Sequence, residues 1–148
     1  MIGYIRVIDK LDDNLLYVIK DDPVRPNMPK EERVNDNSRV VVLLENGTIN
    51  PLATACVKFL NSIPSNIEEL TTGVSEFNTA VFYTIWSYCP GTAGALIYEA
   101  MDYIKKHLPH ITTFVTYSPK TEMARKFHTK NGATVYRTNE DSVNYLYQ

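Results

Sequence analysis

Two stretches of this 148-residue sequence hold residue types that can do chemistry together. The first, Pro90-Gly91-Thr92-Ala93-Gly94, is a run of small residues that opens a helical pattern. The second places Ser118 ahead of a helix that carries His128, with nine residues between them. Small residues at a helix start let backbone N–H groups approach an anion, and the helix end adds partial positive charge there. A hydroxyl and an imidazole from the next strand–helix unit can then act as hydrogen-bond donors or proton carriers on whatever the phosphates anchor. An acyl-coenzyme A thioester, held by its diphosphate, is the ligand this combination points to.

Those groups need elements to hold them. Residues 79–86 are apolar and aromatic enough for a central strand, and residues 92–107 read as a helix. In that helix Leu96, Ile97, Ala100, Met101 and Ile104 recur at helical spacing, and Pro109 stops it. A strand over residues 111–116 follows, then a helix over residues 120–130 that ends at Gly132. Two closing strands, residues 134–137 and 143–147, flank a turn at Asn139-Glu140-Asp141. Upstream, residues 1–8 and 15–20 read as a β-hairpin. Residues 21–37 are a long loop with three prolines and a helical turn at residues 30–33. Strands over residues 39–44 and 52–60 and a short capped helix at residues 65–70 complete the order. The expected class is α/β (α+β): a mixed sheet with helices packed against it.

One domain is the prior for this length, and the apolar fraction is ordinary for a globular chain. A net charge of −2 gives no general reason to expect nucleic acid or membrane as partner. Between residues 103 and 137, however, seven basic residues face the single acid Glu122, which suits a polyanionic ligand. Cys56 and Cys89 form no metal or disulfide pattern, and no clustered ligand spacing supports a metal. No signal-peptide pattern and no long apolar run is present, so a cytoplasmic location is expected.

The order of these motifs resembles the GNAT acyltransferase superfamily. Its loop signature (Arg or Gln, two residues, Gly, one residue, Gly or Ala) falls on Tyr88, Gly91 and Ala93, so the first residue departs from the pattern. A closer resemblance is to the catalytic domain of the malonyl-coenzyme A decarboxylase family. Ser62-Ile63-Pro64-Ser65-Asn66, Ala80-Val81-Phe82-Tyr83-Thr84-Ile85, the Gly91 loop and Tyr117-Ser118-Pro119 look like that family's motifs. Phe127-His128, Asn131-Gly132-Ala133, Arg137, Asn139 and Asn144-Tyr145 continue the likeness in the same order. Residues 39–147 carry it, whereas residues 1–38, the expected hairpin and loop, are divergent. The family's helical N-terminal domain and the insertion between its Ser-Pro and His motifs have no counterpart in the sequence.

The resemblance implies a GNAT-like, mostly antiparallel sheet with splayed central strands. It also implies a catalytic pair, Ser118 and His128, with no cofactor beyond the CoA thioester and no metal. Phe82, Tyr83 and Thr84 would lie along the pantetheine arm, and Pro90, Gly91, Thr92, Ala93 and Gly94 around the pyrophosphate. Lys126, with Lys120, Arg125 and Lys130, is available to the ribose phosphate or to solvent. Asn131 and Asn144 could meet the acyl group, although turn and strand-end roles suit both. The expected reaction is decarboxylation of malonyl-CoA or a related acyl-CoA. The alternatives are transfer of an acyl group to an amine, and a non-catalytic CoA- or protein-binding module. A face left open by the absent helical domain would favour a homo-oligomer.

Overall fold

The computed structural model describes residues 3–148; Met1 and Ile2, the start of the expected first strand, lie outside them. Among the described residues, seven strands form one sheet in the order β1-β2-β3-β4-β5-β7-β6. They are β1 (Gly3–Ile8), β2 (Ser38–Glu45), β3 (Pro51–Leu60), β4 (Thr79–Ser87), β5 (Thr113–Thr116), β6 (Thr134–Thr138) and β7 (Val143–Tyr147). All neighbours are antiparallel except β4 and β5, which are parallel. A parallel pair needs a crossover, and the helix between these two strands supplies it. This is the mixed, mostly antiparallel sheet with flanking helices that the sequence implied.

Four α-helices accompany the sheet: α1 (Lys30–Arg33), α2 (Ile67–Thr71), α3 (Thr92–His107) and α4 (Glu122–Lys130). The apolar stripe of α3, Leu96, Ile97, Ala100, Met101 and Ile104, is buried against one sheet face with Val41, Phe59 and Phe82. Helix α2 starts on a reciprocal cap: Asn66 accepts from the Glu69 N–H at 2.8 Å, and Glu69 accepts from the Ser65 N–H at 2.7 Å. Helix α3 falls where the spacing of its apolar residues puts it, and α4 ends ahead of Gly132 as expected.

The expected hairpin does not form. Residues Asn14–Asp21 make a 3₁₀ helix instead of a strand, and β1 pairs with β2. Asp13 caps this helix by accepting from the Leu15 N–H at 2.8 Å. Its Leu15, Leu16 and Val18 are buried on the sheet face opposite α3, with Val34 and Leu70. A strand here would sit outside β1 with one face in water; the helix buries the same side chains against the sheet. A short apolar run cannot be told from a buried helical turn by its periodicity, which is why the sequence misleads.

Candidate active site

Strands β4 and β5 are hydrogen-bonded neighbours only from Thr79↔Thr113 to Phe82↔Thr116. Beyond that β4 runs on to Ser87 while β5 ends and the chain turns into α4. The parting coincides with a bulge. On β3, Cys56 pairs with Thr84 and the next residue, Val57, pairs with Phe82, so Tyr83 is the extra residue. A bulge bends its strand and raises the local twist, which aims the rest of β4 away from β5.

The gap is a cleft of about 640 Å³. Both catalytic candidates line it, as do Phe82, Tyr83 and Thr84 of β4 and Gly91, Ala93 and Gly94 of the loop. Pro90, Thr92 and Lys126 do not; Lys130 is the cation that does. Thr92 is buried and its hydroxyl bonds the Leu52 and Cys89 carbonyls at 2.8 and 2.7 Å, so it anchors the loop to β3. Tyr83 turns its ring into the core away from α3. Gly91 has φ +81 and Gly94 sits directly against the Asn131 side chain, so α3 starts in close contact with the end of α4. A side chain at Gly91 would be strained, and one at Gly94 would push the two helices apart.

Ser118 and His128 meet at the inner end of the cleft, each 5% exposed. Ser118 Oγ lies 3.2 Å from His128 Nε2 and donates to Thr116 Oγ1 at 2.7 Å. The Ser118 backbone is pinned by paired hydrogen bonds with Val143 of β7, at 3.0 and 2.9 Å. His128 Nδ1 lies 2.7 Å from the Tyr147 hydroxyl, and the imidazole stacks on the Tyr145 ring at 4.9 Å. Thr116 Oγ1 also accepts the Tyr145 N–H at 3.1 Å.

Burial pushes His128 down to about 4, so the ring is neutral at physiological pH. Burial also holds the Tyr147 phenol above its ordinary value, so it stays protonated. Because Ser118 gives its proton to Thr116, Nε2–H is the donor across the Ser118 contact, and Tyr147 donates to the bare Nδ1. That assignment leaves the imidazole proton on Nε2, facing Ser118 and the cleft. The result is one directed chain, Tyr147 to His128 to Ser118 to Thr116. Its two central groups, the imidazole and the Ser118 hydroxyl, both border the cleft.

Sequence reasoning missed Thr116, Tyr145 and Tyr147. Strand alternation does place Tyr145 and Tyr147 on one side of β7, and Thr116 and Ser118 two residues apart. Only the fold reveals that those two pairs converge on one imidazole. Asn144 has no capacity left for an acyl group. It donates to the Pro64 and Thr116 carbonyls and accepts from Arg137 and Asn139. Asn131 lines the cleft, with its amide nitrogen bonded to the Phe127 carbonyl. Cys56 is buried, and burial pushes its thiol up to about 11, which makes it a poor nucleophile. Among the described residues, no group of three or more His, Cys, Asp or Glu is placed to hold a metal ion. Nor is any helix among them long and apolar enough to cross a membrane.

The sheet order, the parting of β4 from β5 and the small-residue helix start define a GNAT-like fold. No protein-family model matches the chain, and no curated protein sequence matches it. Solved structures do. Arabidopsis thaliana NAA60 in complex with acetyl-CoA is 16% identical, with 97% of this chain and 96% of that one covered and a TM-score of 0.63. The same likeness extends to malonyl-CoA decarboxylase. The Agrobacterium vitis structure is 25% identical over 95% of this chain and 39% of its own, with a TM-score of 0.69. The Cupriavidus metallidurans structure is 15% identical over 99% of this chain and 60% of its own, with a TM-score of 0.75. The chain therefore resembles malonyl-CoA decarboxylase over nearly all its length, while spanning 39% and 60% of those two proteins.

Proposed function

We propose that this protein is an acyl-CoA enzyme that decarboxylates malonyl-CoA to acetyl-CoA and carbon dioxide. The observation that carries the reading is the buried chain from Tyr147 through His128 to Ser118 at the inner end of the cleft. Loss of carbon dioxide sends the C–C bond electrons into the thioester, whose oxygen becomes an enolate oxygen. The thioester is its own electron sink. On substrate binding the neutral Nε2–H turns from Ser118 Oγ to hold that oxygen. The Ser118 hydroxyl, turning from Thr116, positions the carboxylate and relays a solvent proton to carbon. One oxyanion donor is worth about a hundred- to a thousand-fold in rate.

Transfer to an amine fits less well. It needs a base for the amine and an acid for the leaving thiolate. None of the described residues lining the cleft is acidic. An imidazole whose cationic form is suppressed by burial is also a poor proton donor to a thiolate.

Incubation with malonyl-CoA, followed by mass spectrometry, tests the reading. Acetyl-CoA formed without any acceptor supports it. Free CoA with a heavier amine would replace it by transfer, and tight CoA binding with no turnover would leave a binding module.

Two expected outcomes follow from the site. The Tyr147→Phe variant loses the donor to Nδ1 but keeps the ring, so acetyl-CoA formation falls by roughly tenfold while CoA affinity holds. Unchanged kcat would remove Tyr147 from the chain. The second concerns pH. His128 is held below its ordinary value of 6.5, at about 4, so the neutral ring persists well into acid. The acid limb of the pH–rate profile is expected near pH 4, with no inflection at 6.5. Stability follows the same sign: the unfolded state binds the proton first as pH falls. The advantage of the buried neutral ring is thus present above 6.5 and lost as pH drops through about 4.

A further inference from the structure

One wall of the cleft comes from neither parted strand nor helix. Pro23 and Val24, in the proline-rich segment ahead of α1, line it together with Ser118 and His128. The residues on either side of them fix where they lie. Asp22 Oδ1 accepts from the Thr84 hydroxyl of β4 at 2.9 Å, and Asp21 Oδ2 accepts from the Tyr88 hydroxyl at 2.6 Å. On the other side, the Arg25 guanidinium sits over the ring of Tyr117, the neighbour of Ser118, at 5.3 Å. Residues 21–25 therefore cross from β4 to the end of β5, spanning the two strands where they part. Thr84 pairs with Cys56, which belongs to the core on the face away from α3. The segment thus closes the cleft on the face opposite α3.

Exposed proline-rich segments are usually mobile, but this one is wrapped around a buried ion pair. Arg33 is fully buried and donates to Asp22 Oδ2 at 2.7 Å. It also grips the Met28 carbonyl at 3.0 Å and the Arg25 carbonyl. Asp22 Oδ1 in turn holds the N–H groups of Val24 and Arg25 at 2.8 and 2.9 Å. The crest is tied on one side through the Asp22 carboxylate and on the other through the backbone of Val24 and Arg25, so the wall is fixed in place.

We propose that Pro23 and Val24 form the stop against which the acyl group ends, so that the site selects short acyl thioesters over long ones. The proposal rests on the acyl-CoA reading above. Because Pro23 and Val24 line the same cleft as Ser118 and His128, a thioester delivered to that pair has its acyl group in the space this crest bounds. An apolar stop of fixed position discriminates by size, and one methylene too many costs roughly ten- to two-hundred-fold.

The test is calorimetric binding of CoA, acetyl-CoA and hexanoyl-CoA to the full chain and to two variants of opposite sense. Wild type is expected to bind hexanoyl-CoA at least about tenfold more weakly than acetyl-CoA. Val24→Ala narrows that gap and Val24→Phe widens it. Loss of fold cannot mimic opposite shifts from one position that is 39% exposed. A wild type that binds both esters equally, or a gap that is the same in all three proteins, overturns the stop while leaving the CoA reading intact. Failure of wild type to bind CoA or either ester overturns the CoA reading itself, and the stop with it.

Discussion

If the proposed decarboxylation is right, acetyl-CoA formation from malonyl-CoA is expected to fall by about a hundred- to a thousand-fold when His128 is replaced by alanine, with little change in CoA affinity. On the proposed reading the two effects separate because His128 is buried in the cleft beside Ser118, where the thioester would react, while the proposed pyrophosphate contacts are at the start of α3. Ser118→Ala is expected to cost a comparable factor through lost positioning and proton relay. The pair acts as a unit, since Nε2 and Oγ are within hydrogen-bond distance. The double variant should then lose little beyond the larger single loss, well short of the product of the two. Stopped assays with mass-spectrometric detection measure all three, and turnover like wild type in either single variant sinks the assignment.

The largest stability effect is expected at Asp22. Alanine there removes the partner of a buried guanidinium and strands three donors besides Arg33: the Val24 and Arg25 N–H groups and the Thr84 hydroxyl. Breaking a buried pair by removing one member costs about 3–5 kcal/mol. For a chain of this size that is a drop of roughly 6–20 °C in the thermal midpoint. Pairing Asp22→Ala with Arg33→Met is expected to recover part of the loss, because no uncompensated charge remains. A midpoint within a degree of wild type for Asp22→Ala would show that water reaches the pair.

The pH dependence of that pair has a definite sign. Burial pushes the Asp22 carboxyl up, but hydrogen bonds from Arg33, the Arg25 and Val24 backbone and Thr84 more than offset it, leaving it below the ordinary value of 3.8. Its contribution is therefore complete above that value and lost as pH falls through the lower folded one.

The two long helices and the central strand were legible in the sequence because each rests on local signals. Ser118 and His128 were singled out as a pair through the family resemblance, and the structure places them within hydrogen-bond distance. The stripe from Leu96 to Ile104, the small-residue start at Gly91 and the strand-to-helix setting of Ser118 need no distant partner to be read. What was not legible depends on residues far apart in the chain. Asp22 and Arg33 look like solvated charges in a proline-rich loop until Thr84, sixty-two residues on, is folded against them. Tyr147 looks like an ordinary strand tyrosine until β7 inserts beside β5. Leu15, Leu16 and Val18 satisfy a strand pattern and a helical turn equally, and tertiary burial decided between them.

Strand β4 leaves β5 at Phe82 but keeps its pairing with β3 as far as Ser87. Its outer peptide groups over that stretch form a sheet margin enclosed within the molecule. An amide-bearing chain laid there would take the part of a missing strand, finishing the ladder from inside. Occupancy and folding would then be one equilibrium, and the melting temperature is expected to climb with ligand concentration.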